Sequence, residues 1–206
     1  MEKVDAIIVG GGDFPVHPIP LEILGSSDKV VCCDGAANEF YTRGLQPWRI
    51  VGDCDSLSPE AAGKFRDIIR HNPDQETNDQ TKAISYLASK GYTNIAIVAA
   101  TGRREDHTLG NISLLMEYMR QGLQVRTYTD FGVFIPCRDN NTFESPVGSA
   151  VSIFSFGTAG MTADGLQYPL RDFTSWWEGT LNVTTAPSFT IKCKGEYLVY
   201  ITYPEK

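Results

Sequence analysis

Four clusters of charged residues in this chain have types and spacings suited to metal and phosphate chemistry. Asp34 follows the apolar run Lys29–Cys33. Asp53-Cys54-Asp55-Ser56 is the second, and Asp-x-Asp brings two short carboxylates within reach of one ion, with the Ser56 hydroxyl beside them. Glu76 and Asp79 form the third, with Lys82 one turn further on if the segment is helical. The fourth is Gly102-Arg103-Arg104-Glu105-Asp106-His107, where two arginines at the opening of a helix can clamp phosphoryl oxygens bidentately. Carboxylates that converge need a cation or raised pKa values to coexist. Mg²⁺ facing phosphates fits, because it keeps several waters and takes few protein ligands. Each cluster also has a structural reading. Asp after a strand is a common turn or N-cap residue. Glu76 and Asp79 suit the positive end of a helix, Lys82 can pair with Asp79, and residues 102–107 can be a charged turn.

Other chemistries lack their residues. Gly10-Gly11-Gly12 follows an apolar run but is not GxGxxG, and Pro15, Pro18 and Pro20 block a tight helix after it. The three glycines still allow close approach of a nucleotide to the backbone. There is no GxxxxGK[ST], and the three histidines have no zinc spacing. Cys54 lies between two carboxylates, a poor setting for a thiolate.

The elements that must position these clusters alternate in the first half. Val4–Val9, Lys29–Cys33, Trp48–Val51, Ile95–Ala100 and Gln124–Thr129 read as short apolar strands. Between them come a short helix near Pro20 and one over Ala36–Thr42. A third starts at Ser58-Pro59 and runs to about Ile69, a fourth starts near Thr77–Asp79, and a fifth spans His107–Met119. This predicts a parallel sheet covered on both faces, with the carboxylates gathered at the carboxyl ends of its strands. After Phe134 the pattern changes to Val147–Phe156, Gly165–Leu170, Leu181–Thr184, Phe189–Cys193 and Tyr197–Thr202, separated by turn residues. That is a small antiparallel β domain. The boundary falls in Pro136–Pro146, giving domains 1–136 and 137–206. Trp176 and Trp177 would point to opposite faces of a strand, one into the core and one to a surface that suits a flat or cationic ring, or both into packing.

The 206 residues suffice for one large domain or two small ones. A formal charge of -7 argues against a nucleic-acid platform, but not against an anionic substrate held through Mg²⁺. The five cysteines read as reduced thiols, and no apolar run reaches membrane-spanning length, so a cytoplasmic protein is expected.

Taken in order, these clusters resemble the thiamine pyrophosphokinase family over nearly the whole chain. The matching segments are Asp34-Gly35-Ala36-Ala37-Asn38, Gly52-Asp53-Cys54-Asp55-Ser56, Thr77-Asn78-Asp79 with Lys82-Ala83, and Arg104-x-Asp106-His107 followed by Asn111. Gly165-Leu166-Gln167-Tyr168-Pro169-Leu170 and Gly179-Thr180-Leu181-Asn182 continue the match in the β half.

The resemblance implies an N-terminal α/β nucleotide-binding domain and a C-terminal antiparallel β-sandwich. It also implies a homodimer whose sites are shared between subunits, and transfer of the diphosphoryl group of ATP to thiamine with Mg²⁺. Asp53, Asp55 and Asp79 are then expected to hold the metal, and Asp55, Asp79, Asp106, Arg104 and Lys82 to carry the chemistry. Asp34, Gly35, Asn38, Arg103, Arg104, His107 and Asn111 fall on the ATP side. Tyr168, Leu170, Trp176, Trp177, Thr180 and Asn182 fall on the thiamine side. Three places depart from the family pattern: Arg103 stands where the family has a second glycine, Thr180-Leu181 stands where a serine is usual, and the usual Thr-Asp pair reads Thr77-Asn78-Asp79, with Asp79 aligned to the family Asp.

Overall fold

In the computed structural model, which describes residues 3–204, the chain separates into two units, Met1–Asp130 and Phe131–Lys206. The first is built on six parallel strands: β1 (Ala6–Val9), β2 (Val30–Cys33), β3 (Arg49–Gly52), β4 (Ile69–His71), β5 (Asn94–Val98) and β6 (Gln124–Tyr128). Their spatial order is β6-β5-β1-β2-β3-β4. Every residue of β1 and β2 is buried, as a strand covered on both faces requires. The chain winds outward one way from β1 through β4, then returns to β5 on the other side of β1. That reversal opens a crevice outside the carboxyl ends of β1 and β5.

Local signals set the helices. α1 (Pro18–Leu24) has prolines in its first turn, where a missing N–H costs nothing. α2 is Ala36–Thr42. α3 (Pro59–Phe65) is capped by the Ser58 hydroxyl, which accepts from the Ala61 N–H at 3.1 Å. α4 (Asp79–Ser89) is capped by Asn78, which accepts from the Thr81 N–H at 2.9 Å. α5 (Glu105–Arg120) carries Glu105 and Asp106 in its first turn, where the helix dipole favours negative charge.

The expected helix from Ser58 to Ile69 is corrected. The α-helix stops at Phe65, a 3-10 turn covers Arg66–Ile68, and Ile69–His71 is the sixth parallel strand, at the sheet edge.

The second unit is antiparallel β. β7 (Gly132–Arg138), β9 (Ala150–Ser155), β11 (Gly179–Val183) and β13 (Glu196–Thr202) form one sheet in the order β11-β9-β13-β7. β8 (Asn141–Glu144), β10 (Ala159–Asp164) and β12 (Ser188–Lys194) form a second, β10-β12-β8. Both sheets feed one apolar core containing Val151, Ile153, Met161, Ile191 and Val199. Phe143 and Phe189 stack in it with ring centroids 4.9 Å apart. β7 pairs with β13 from Gly132 to Arg138, so residues 132–136, which the sequence pattern leaves with the first domain, belong to this unit.

Two further expectations change. Gly165–Leu170 is not a strand: only Leu166 makes an isolated bridge, to Thr184, and the strand is the preceding Ala159–Asp164. Trp176 and Trp177 lie in a turn rather than a strand.

Candidate functional site

The strand ends of the first unit bring the acidic residues together. Asp34 follows the last residue of β2 and is 2 % exposed. β3 ends in Gly52, where a side chain would collide with Asp34 Cβ and press on Asp79. Glycine at this position is what lets the two carboxylates approach. Cys54 adopts the left-handed conformation, φ +68°, and turns the chain sharply between Asp53 and Asp55. A non-glycine residue held there stores on the order of 1 kcal/mol, a kind of strain that clusters at functional sites. Carboxylate oxygens of Asp34, Asp53 and Asp55 all lie within 4.8 Å of one another.

Each carboxylate is tethered differently. Asp34 accepts the Ser56 N–H at 3.0 Å through Oδ2, while its Oδ1 is buried with no hydrogen-bond partner. Burial, above all, pushes the Asp34 carboxyl up to about 6. The Ser56 N–H opposes this, and the Asp79 and Asp55 charges add to it. Asp55 accepts the Ser56 hydroxyl at 2.9 Å. Asp53 accepts the Gln75 amide at 3.0 Å, the main reason its carboxyl lies below the usual range. Asp79 pairs with Lys82 at 3.1 Å, and Lys82 also lies 3.9 Å from Asp53. The Lys82 side chain is only 3 % exposed. Burial works against its charge, but the hydrogen bond and charge of Asp79 outweigh it and raise its pKa.

A cavity of about 720 Å³ opens over this group. Asp53, Asp55, Asp79, Lys82, Arg103 and Asp106 line it. So do Gly35, Asn38, His107 and Asn111 of the expected ATP side. Arg104 lines a space of about 250 Å³ that shares Arg103, His107 and Asn111 with the first. Arg104 pairs with Asp106 at 2.6 Å and holds the Asp106 carboxyl low. Arg103 lies 3.5 Å from Asp13.

Two expected contact residues act first as braces. Asn38 donates to the Ser56 carbonyl at 2.8 Å and accepts the Ser58 N–H at 2.9 Å, fixing the loop that carries Asp55. Asn111 donates to the Ala100 carbonyl and accepts from Asn78, tying α5 to the α4 cap. Gly10 and Gly12 are required by the chain itself, since side chains there would strike the backbone of residues 99–101. Gly11 alone faces open space.

The structure also gives supporting roles to residues that were not among the expected site residues. Gln75, Asn78 and Gly52 support the acidic group. The Asn78 signal was legible as Asn before a helix. Nothing in the sequence marks Gln75.

The mutually close set is Asp34, Asp53 and Asp55, while Asp79 is engaged by Lys82. Three carboxylates that each offer an oxygen within 4.8 Å of the others, with Asp34 buried among them, fit a hard divalent cation.

In the second unit, Trp176 and Trp177 are 56 % and 58 % exposed, and Tyr168 is also exposed. The Trp176 ring lies 5.5 Å from that of Phe154. Leu170 is buried against the unit's core. Asn182 is buried and spends its amide on the backbone. It accepts from the Tyr168 N–H at 3.0 Å and the Val183 N–H at 2.9 Å, and donates to the Tyr168 carbonyl at 2.8 Å. Thr180 lies half-buried in β11, and its N–H donates to the Trp177 carbonyl. Leu181 is exposed with φ +67°.

Residues 21–127 match the family described as "Thiamin pyrophosphokinase, catalytic domain", and residues 132–200 match "Thiamin pyrophosphokinase, substrate-binding domain". Among curated proteins, thiamin pyrophosphokinase 1 of Caenorhabditis elegans is 31 % identical over 98 residues, 43 % of this chain and 40 % of that protein. Thiamine pyrophosphokinase of Bacillus subtilis is 27 % identical over 126 residues, 58 % of each chain. These matches span between two fifths and three fifths of the relatives' lengths. Among solved structures, the Bacillus subtilis thiamine pyrophosphokinase superposes with a TM-score of 0.81 at 20 % identity, covering 98 % of this chain and all of the other. Yeast thiamin pyrophosphokinase superposes with a TM-score of 0.82 at 17 % identity, covering 98 % and 87 %.

Proposed function

The chain belongs to the thiamin pyrophosphokinase family, and on that premise we propose that it transfers the diphosphoryl group of ATP to the hydroxyethyl oxygen of thiamine, giving thiamine diphosphate and AMP. The observation that carries this reading is the trio Asp34, Asp53 and Asp55 beside buried Lys82, on a cavity with Arg103 in its wall. Carboxylates for a cation and cations for phosphates stand side by side, as an in-line phosphoryl transfer needs.

In this reaction the thiamine hydroxyl attacks the β-phosphorus, a new P–O bond forms, and the bond from the β-phosphorus to the α,β-bridging oxygen breaks. AMP leaves with that oxygen. Asp34, Asp53 and Asp55 would hold Mg²⁺, which when bound offsets negative charge on the phosphates. Lys82 keeps its proton and presents a fixed positive charge to the cavity. Arg103 and Arg104 add bidentate donors for phosphoryl oxygens. Asp79 and Asp106 are the candidates to accept the hydroxyl proton, and Asp106 is held low by Arg104. Trp176 and Trp177 would receive the cationic thiamine on their exposed rings. Leu170 and Asn182 support that region from within rather than touching the substrate. A homodimer with sites shared between subunits completes the proposal.

Incubation with ATP, Mg²⁺ and thiamine, followed by mass identification of products, tests it. AMP and thiamine diphosphate are expected. ADP with thiamine monophosphate, or phosphate release without thiamine turnover, would assign a different transferase or a hydrolase.

A further inference from the structure

We propose that Glu178 is a positioning residue that holds the Trp176–Trp177 turn in the shape that presents its indoles to substrate. This rests on the reading, given above, that the turn receives thiamine. The segment is anchored at its ends by Asp172, which accepts the Met161 N–H at 2.9 Å, by Phe173 against the core, and by the Thr180 N–H on the Trp177 carbonyl. Both tryptophans are more than half exposed, and the segment from Arg171 to Glu178 has no strand or helix hydrogen bonding.

Glu178 gathers the residues between those anchors. Its Oε1 accepts the Thr174 hydroxyl at 2.7 Å and the Ser175 N–H at 3.1 Å. Its Oε2 lies 2.7 Å from the Arg171 guanidinium, whose own plane sits over Phe173. One carboxylate therefore gathers three residues that precede the tryptophans. Its backbone N–H donates to the Ser175 carbonyl at 3.2 Å and closes the turn across both indoles. The Glu178 side chain is only 15 % exposed, although it sits on a surface segment. A carboxylate that takes two hydrogen bonds and an ion pair while largely withdrawn from water is a fixed anchor rather than a solvated surface charge.

Phe154 braces one indole from the sheet below, with ring centroids 5.5 Å apart and planes 31° off parallel. Phe154 fixes where Trp176 can lie, and Glu178 fixes the backbone that carries both rings. An aromatic receptor that is ordered before binding loses less entropy on capture of a flat cation.

The test uses the full-length protein in a Trp48→Phe background, so that only the two turn tryptophans report. Glu178→Ala is expected to speed the fluorescence anisotropy decay of the indoles. It should raise the thiamine KM about tenfold, equivalent to about 1.4 kcal/mol. The ATP KM and kcat should stay within about twofold, a split that a general loss of stability would not produce. Glu178→Gln keeps an oxygen for Thr174 and Ser175 and loses only the charge opposite Arg171. It should recover most of the thiamine KM, and Thr174→Val, which removes one of the two hydrogen bonds to Oε1 and should raise the thiamine KM part of the way, serves if the alanine variant does not fold. An unchanged anisotropy decay overturns the inference. So does an unchanged thiamine KM in Glu178→Ala when Trp176→Ala and Trp177→Ala each raise it. If the indoles loosen but neither tryptophan variant alters the thiamine KM, the thiamine reading of this turn fails and takes the inference with it.

Discussion

Asp34 accepts the Ser56 backbone N–H at 3.0 Å across 22 residues of sequence and leaves its second oxygen buried without a partner. One bond fixes the loop after β3 to the end of β2. The unpartnered oxygen makes the carboxylate costly to ionise unless a cation joins it. Fold and site meet in this contact: the sheet buries the carboxylate, and the burial prepares it for a ligand.

The first prediction concerns pH. The folded-state pKa of Asp34, about 6, lies above its ordinary value of 3.8. Its contribution to stability is therefore fully present below about pH 4 and is lost as pH rises through about 6. Between pH 4 and pH 7, the difference in unfolding free energy should move by about 2–3 kcal/mol in favour of Asp34→Asn over the wild type without metal. Urea unfolding at the two pH values measures it. Adding Mg²⁺ at pH 7 should stabilise the wild type and not the variant.

Lys82 is the second. Removing its charge leaves Asp79 and Asp53 uncompensated beside Asp34. Lys82→Met should cost about 3 kcal/mol, within the range for breaking a buried pair. The double variant Lys82→Met with Asp79→Asn should cost less than the sum of its parts, and equilibrium unfolding of the four proteins measures that coupling.

Asp55 is exposed and braces little beyond Ser56. Asp55→Asn should therefore keep the melting temperature within a few degrees and lose most turnover, at least about 100-fold for a lost charge-stabilising group. Near-normal turnover with an unaltered magnesium requirement would remove Asp55 from the metal set.

Leu170 and the tryptophans should separate by readout. Leu170→Ala should destabilise by about 2–3 kcal/mol, as a buried leucine does, with little effect on the thiamine KM of the folded fraction. Replacing both Trp176 and Trp177 should do the reverse, raising the thiamine KM more than the ATP KM at nearly unchanged stability. Equal changes in both KM values would mean the indoles serve packing alone.

Much of the α/β half was legible because its strands are short apolar runs and its helices carry their own start signals, such as Ser58-Pro59. β4 was not, since Ile69-Arg70-His71 is an edge strand with two exposed residues and no apolar pattern. In the β half, Asn141–Glu144 buries only Phe143, and Ala159–Asp164 buries only Met161 around a register shift and a left-handed Gly160. Alternation cannot be read from one buried residue. Gly165–Leu170 looked like a strand because its apolar residues alternate, but Leu170 turns into the core after Pro169. The acidic residues of the site were named from sequence. The Asp53–Asp55 and Asp79–Lys82 neighbours were legible too, the first as Asp-x-Asp and the second as a pair one helical turn apart, but the joining of Asp34 to Asp53 and Asp55 was not, because it is set by contacts between distant segments.

The central claim is that the diphosphoryl group of ATP moves intact to thiamine by cleavage at the β-phosphorus. ATP labelled with ¹⁸O at the α,β-bridging oxygen tests it most directly. Attack at the β-phosphorus sends that oxygen out with AMP, so all of the label should appear in AMP and none in thiamine diphosphate. Label in the thiamine product, or ADP in place of AMP, would contradict the account.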